Sequence, residues 1–192
     1  KGLLYPEDSP LRSGTIDVKY MTAKEEDILT STNLIEQGVV ITRLLESVIA
    51  NSKVKLDDML IGDKNAIMVG TRILGYGANY EISLVDPDTN ERVEHTVDLS
   101  KLNNKKIDEK LFENGNNFEF ELPNSKRIVG FKLLTHGDES EIENTLKEFE
   151  KVEKLTGVSY SLTTRLKHQI VSIDGNTDQK EIDKFVDNEF LA

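Results

Sequence analysis

Hydrophobic positions recur at intervals of three and four residues in the first third of the chain, which predicts amphipathic helices there. Thr22 and Glu25 have the spacing of a capping box that opens one helix. Residues 33–51 then carry an apolar helical stripe made of Val40, Ile41, Leu44, Leu45, Val48 and Ile49. Another helix is predicted from an N-cap at Asp63 to the glycines at 75 and 77. Ahead of these helices, residues 15–20 alternate and predict a short strand.

The middle of the chain has a period of two instead. Residues 80–84 and 93–97 alternate on either side of the turn sequence DPDTNE, which predicts a β-hairpin. A second hairpin is predicted from residues 118–122 and 128–134 around the sequence PNSK. A short helix is predicted between the two hairpins, over residues 105–113.

Helical spacing returns after residue 137. Asp138 and Glu141 predict the start of a long helix and Gly157 its end. Its near-heptad stripe suits either a coiled-coil seam with a partner or docking on the protein's own sheet, and docking is the more common use. Residues 161–171 fit a helix or a strand equally well. Asp178 and Glu181 open a last helix, whose apolar face consists of Ile182, Phe185, Val186 and Phe190.

These elements together predict an α+β fold with an N-terminal strand and helices, central antiparallel β-hairpins and C-terminal helices. The predicted divisions are residues 1–14, 15–77, 78–136 and 137–192, forming one compact unit or two small ones. Residues 1–14 contain two prolines and two glycines. We therefore expect an extended arm that depends on a partner for its order.

Composition narrows the class of partner. The formal charge of -11 disfavours a nucleic-acid groove or an anionic membrane surface and favours a protein partner. The absence of cysteine excludes disulfides and thiolate zinc sites, and it fits synthesis in a reducing cytosol. Because the sequence starts at Lys1 without a methionine and stops at Ala192 without a terminating signal, we expect a segment of a longer polypeptide.

Candidate chemistry is sparse. The turn with Asp86, Asp88 and Asn90 opens like a calcium loop, but Glu91 and Val97 occupy the positions where such a loop needs glycine and glutamate. The glycines at 70, 75 and 77 lack the lysine of a phosphate-binding loop. None of the three histidines has a second histidine at ligand spacing. We predict no catalytic, cofactor or metal residues; a small hydrolase or metal enzyme built from dispersed groups is the alternative class.

Several segments match a known family. They are GLLYPE at residues 2–7, MTAKEEDILT at 21–30, IGDKNA at 61–66, RILGYG at 72–77, VDLSKL at 97–102, IVSIDG at 170–175 and FVDN at 185–188. With them the chain resembles the baseplate hub subunits and hub-assembly proteins of T-even-like bacteriophages. Relatives in this family often carry a Cys-x-x-Cys knuckle where this chain has residues 85–90, so this hairpin cannot hold zinc in the same way.

The resemblance implies a non-enzymatic structural protein of the contractile-tail baseplate hub, which binds other hub proteins without a cofactor. It implies a place in the virion, assembly in the host cytoplasm, and multiple copies in a symmetric assembly as one arrangement. The alternative is a transient hub-assembly chaperone that is absent from the mature virion. No nucleic-acid or membrane partner is expected.

We predict that the partner-binding surface comprises the N-terminal segment and the start of the first helix. Leu3, Leu4 and Tyr5 would supply apolar anchors, because a few buried groups commonly carry most of an interface's energy. The charged rim would consist of Glu25, Glu26 and Asp27. In the alternative interpretation, residues 3–5 fold back on the chain's own helices and the acids only cap and solvate a helix.

Overall fold

A computed structural model describes residues 2–103 and 108–190. The chain forms two compact units, and each is discontinuous in sequence. The described residues of unit 1 are 2–15, 54–61 and 108–190, and those of unit 2 are 16–53 and 62–103. Within the described residues, seven α-helices and two antiparallel sheets confirm the predicted α+β class.

Unit 2 combines four helices with the first hairpin. The helices are α1 (Ala23–Thr30), α2 (Thr32–Glu36), α3 (Val40–Val48) and α4 (Ile61–Tyr76). Strands β1 (Asn79–Val85) and β2 (Arg92–Asp98) form the predicted antiparallel hairpin. The stripe of α3 is buried as expected at Leu44, Leu45 and Val48. Gly38 separates α2 from α3 because its φ of 71° lies in the left-handed region.

Two predicted boundaries in unit 2 are wrong. Residues 15–20 form no strand; a single antiparallel bridge joins Val18 to Ile49. Helix α4 begins at Ile61, so Asp63 lies in its first turn instead of capping it. A carboxylate stabilises the helix from either position, since both positions lie at the positive end of the helix dipole.

Unit 1 contains a three-stranded antiparallel sheet and three helices. Strands β3 (Phe118–Glu121), β4 (Ile128–Phe131) and β5 (Ile170–Ile173) lie in the order β3-β4-β5. The helices are α5 (His136–Thr156), α6 (Ser161–Gln169) and α7 (Gln179–Asn188). Its core cluster consists of Leu122, Val129, Ile170, Ile173, Ile182, Phe185 and Val186.

The ambiguous segment 161–171 resolves into both alternatives. Helix α6 ends at Gln169 and strand β5 begins at the next residue, where it pairs with β4. The predicted second hairpin is therefore confirmed as β3–β4, but it belongs to a larger sheet. In the helix predicted for residues 105–113, residues 105–107 lie outside the described residues, and Glu109–Phe112 forms a 3-10 turn.

The N-terminal segment is a chain of turns instead of the expected extended arm. Backbone bonds join Tyr5 N–H to the Gly2 carbonyl and Gly14 N–H to the Leu11 carbonyl. The Arg12 guanidinium donates to the carbonyl oxygens of Leu3 at 2.8 Å and Tyr5 at 2.9 Å. An arginine guanidinium has several N–H donors, so it can hold a short segment that lacks regular structure by bonding several of its carbonyl oxygens. The prolines and glycines on which the expectation rested give no sign of this contact.

Candidate interaction surfaces

The three predicted anchor residues all lie in unit 1, with different exposure. Leu3 and Leu4 are half-buried, whereas Tyr5 is only 8% exposed. The backbone N–H of Leu60 donates to the Tyr5 hydroxyl oxygen at 3.0 Å. Tyr5 thus supports the fold of unit 1, and Leu3 and Leu4 are the members of the trio with more accessible surface.

The three predicted acids occupy the first turns of α1 in unit 2. Glu25 is buried and accepts hydrogen bonds from the Ser47 hydroxyl at 2.6 Å and from the Thr22 backbone N–H at 2.8 Å. These hydrogen bonds lower the pKa of Glu25 to about 2, with the Ser47 bond contributing most and the Thr22 bonds next. Glu26 and Asp27 are exposed. The capping residue is therefore internal and its two neighbours are accessible.

Glu26 connects α1 to the end of α4. It accepts a hydrogen bond from the Tyr76 hydroxyl at 2.6 Å, and this bond raises the pKa of Tyr76. The predicted anchors and the predicted acids belong to different units.

An apolar pocket of about 360 Å³ opens in unit 2 among α1, α3, α4 and β1. We call it the helical pocket. It is lined by Met21, Leu29, Ile41, Leu44, Met68, Val69, Thr71, Arg72, Tyr76, Tyr80 and Leu99. Met21 and Leu29 come from the MTAKEEDILT segment that carries the family resemblance most specifically.

Two polar side chains in the helical pocket differ in how they are bonded. Thr71 is 2% exposed, and its hydroxyl has no hydrogen-bond partner among the described residues. The Arg72 guanidinium donates to the Gly77 carbonyl at 3.0 Å and lies 5.0 Å and 5.6 Å from the ring centroids of Tyr76 and Tyr80. Arg72 therefore connects the end of α4 to the start of the hairpin through hydrogen bonding and cation–π contact.

The hairpin carries one apolar face, which we call the hairpin face. Because side chains alternate along a strand, Tyr80, Ile82 and Leu84 share one side of β1. Their cross-strand partners on β2 are Val97, His95 and Val93. Tyr80, Leu84 and Val93 are 45%, 52% and 47% exposed. Tyr80 belongs to both features, so the helical pocket and the hairpin face are continuous.

The turn of the hairpin is held by Asp86. Its carboxylate accepts hydrogen bonds from the backbone N–H groups of Asp88 at 2.8 Å and Thr89 at 3.3 Å. Asn90 takes a φ of 57°, which suits asparagine in a tight turn. The carboxylate that would open a calcium loop is thus engaged with the backbone.

Unit 1 has an open polar cleft of about 620 Å³ beside α5 and α6. Two of its lysines form ion pairs with carboxylates. The Nζ atom of Lys132 lies 2.7 Å from Oδ1 of Asp138, and the Nζ atom of Lys167 lies 2.7 Å from Oδ2 of Asp187. His168 faces Glu141 at 3.9 Å. These contacts connect α5 to the segment after β4, α6 to α7, and α6 to α5.

Two further features, a metal-binding cluster and a membrane-spanning helix, are absent from residues 2–103 and 108–190. No group of three His, Asp or Glu side chains there is arranged to hold a metal ion. No helix in the same ranges has the length and apolar character required to cross a bilayer.

The family comparison decides the class of protein. The family model described as T4 bacteriophage base plate protein matches residues 5–190. The chain belongs to this family. It is accordingly a structural base plate protein of the phage tail, in a family that is generally non-enzymatic and whose members bind other base plate proteins. Comparison with curated proteins and with solved structures finds no match.

Sequence reasoning did not identify the helical pocket. The alternation in β1 and β2 predicted an apolar face on the hairpin, but a pattern cannot tell whether such a face is covered. The pocket residues come from five separate stretches of sequence. Several of these stretches overlap segments that carry the family resemblance, namely residues 21–30, 72–77 and 97–102, but nothing in the sequence indicates that they meet in one pocket.

Proposed function

We propose that this chain is a non-enzymatic component of the baseplate hub of a contractile phage tail, and that it acts by binding other hub proteins during tail assembly. The observation that carries the proposal is the continuous, exposed apolar surface of unit 2. A folded protein rarely leaves such a surface uncovered unless a partner binds there. The family membership supplies the kind of assembly in which that partner is found.

The proposal extends to location and partners. The chain folds in the host cytoplasm, joins the hub and remains in the virion, with multiple copies where the assembly is symmetric. The charge of -11 supports protein partners over nucleic acid or membrane surfaces. The alternative is a hub-assembly chaperone that leaves before the virion matures.

Additional contact residues are proposed from the sequence. Leu3 and Leu4 in unit 1 would contact a neighbouring hub protein, with Tyr5 holding the segment from beneath. Glu26 and Asp27 in unit 2 would set the rate and selectivity of association at the rim, and Glu25 would hold the helix start that presents them.

Quantitative mass spectrometry of purified mature tails and of hub intermediates separates the two versions of the proposal. A hub component is present in both at the same ratio to other hub proteins. A chaperone is present in the intermediates and lost from mature tails. Absence from both preparations would overturn the proposed function altogether.

A further inference from the structure

The hairpin face and the helical pocket form one surface in unit 2 that the fold leaves uncovered. Strands β1 and β2 pair with each other and with no further strand among the described residues. A two-stranded hairpin is marginally stable in water on its own. Aliphatic side chains that stay in contact with water, such as Leu84 and Val93, contribute little burial energy to it, so covering this face would stabilise the hairpin.

Thr71 provides an independent indication of a missing ligand group. A buried hydroxyl is almost always hydrogen-bonded, and leaving it unpaired costs free energy. The Thr71 hydroxyl lacks a partner within the described residues although only 2% of the residue is exposed. Since Thr71 lines the helical pocket, a polar group that entered the pocket would satisfy it.

Charge indicates which kind of partner fits. Residues 79–98 contain six carboxylates and a single basic side chain, Arg92, which gives a formal charge of -5. A second copy of this chain would bring the same acidic hairpin and a total charge of -11, and like charges oppose that pairing. A partner with basic residues beside its apolar anchors is complementary.

We propose that this surface binds a segment of a different base plate protein, one that carries aliphatic or aromatic anchors flanked by Lys or Arg. One anchor enters the helical pocket beside Tyr76, and a polar group next to it hydrogen-bonds to the Thr71 hydroxyl. The flanking basic residues face the carboxylates of the hairpin turn, which are Asp86, Asp88 and Glu91. The other three carboxylates of the hairpin lie on the opposite face of the strands. This inference rests on the proposed function, because it specifies the surface through which the chain binds its hub neighbours.

Site-specific photo-cross-linking in infected cells tests the surface. The full chain is made with photoreactive p-benzoylphenylalanine in place of Leu84, on the hairpin face, or in place of Ser83, the adjacent exposed residue on the opposite face. We expect the Leu84 position to cross-link severalfold more strongly than the Ser83 position. The cross-linked peptide should come from another base plate protein and contain Lys or Arg close to apolar residues.

Three outcomes would overturn the inference: cross-linking to a second copy of this chain, equal or stronger cross-linking from Ser83, or cross-linking from neither position. Circular dichroism of each purified protein checks that it is folded. If either position is not tolerated, Val93 and Glu94 provide a second pair of adjacent residues on opposite faces and are judged by the same criteria.

Binding of the synthesised cross-linked peptide to the purified full chain then tests the chemistry. Thr71→Val removes the hydroxyl and keeps the shape, so the Kd should rise about tenfold, the effect of one lost hydrogen bond. Raising the salt concentration should also weaken binding, because the charged rim is screened. A Kd that responds to neither change would contradict the inference.

The outcomes distinguish a failure of this inference from a failure of the proposed function. If the chain is found in tails or hub intermediates but cross-links to its neighbours only from Ser83, the surface is wrong and the hub role stands. If the chain is missing from both preparations, the hub role itself fails.

Discussion

At the scale of single residues, buried polar groups hold together parts of the chain that are distant in sequence. Glu25 joins the start of α1 to Ser47 in α3, and the Tyr5 hydroxyl accepts the Leu60 N–H. The sequence predicted the role of Glu25 as a capping residue because the Thr22–Glu25 spacing is local. It could not predict the Ser47 or Leu60 contacts, which depend on tertiary structure.

Glu25→Gln should make stability less sensitive to acid. The carboxyl of Glu25 has its pKa lowered from 4.5 to about 2 in the folded chain. A lowered pKa means that the carboxylate stabilises the fold above the unfolded value and that this contribution is lost as pH falls through the folded value. The difference in Tm between the wild type and Glu25→Gln should therefore be largest above about pH 4.5 and shrink toward pH 2.

Thermal melts followed by circular dichroism from pH 2 to 7 provide this measurement. Asp27→Asn, at an exposed carboxylate in the same helix, is the matched control and should differ little from the wild type. A Tm difference for Glu25→Gln that stays constant across this range would show that the hydrogen bonds to Thr22 and Ser47 do not favour the ionised carboxyl.

Tyr5→Phe tests whether the N-terminal turns belong to the core of unit 1. The variant removes the acceptor of the Leu60 N–H, and an unpaired buried N–H costs about 1–3 kcal/mol. Urea unfolding should show that loss for Tyr5→Phe and almost none for Tyr20→Phe, whose side chain is 74% exposed. Equal stability of Tyr5→Phe and the wild type would restore the expectation that this segment is ordered only by a partner.

At the scale of elements, helices and hairpins with a strong period were predicted, and short elements without one were not. Helix α3 and both hairpins appear where their periods indicated. Strand β5 has four residues directly after a helix, so periodicity could not separate it from α6. The strand expected at residues 15–20 has the right alternation but pairs only through Val18, since its neighbours find no continuing partner.

The apolar stripe of the long helix α5 is not buried along its whole length, which its spacing alone did not indicate. Ile142 is fully buried, whereas Leu155 is 87% exposed. The stripe of α5 is therefore packed in its own unit at Ile142, whereas Leu155 near its C-terminal end is open to solvent.

Ile142→Ala should lower the free energy of unfolding by about 2–5 kcal/mol, because it leaves a cavity in unit 1. Leu155→Ala, a change of similar size on the same helix, should alter it by less than about 0.5 kcal/mol. Urea titrations of the two variants measure both values. Comparable losses in the two variants would mean that the whole stripe is packed.

At the scale of the whole molecule, the sequence predicted the fold class and, through its resemblance, the base plate family. It did not predict that each unit is assembled from separated stretches of chain. Residues 54–61 join residues 108 onward in unit 1 because of contacts such as the bridge between Leu60 and Thr135. Such pairings carry no local signal. The uncovered surface of unit 2 likewise depends on the position of the hairpin beside α4, which no local pattern indicates.

The central proposal is that the chain acts as a stoichiometric, non-enzymatic part of the hub. The most direct test adds known amounts of the purified full chain to a phage-infected extract lacking it and counts the completed tails. A structural component predicts a tail yield that rises linearly with added chain and stops at one tail per fixed number of chains consumed. A chain that supports the completion of many tails per molecule, and is recovered free afterwards, would contradict this account.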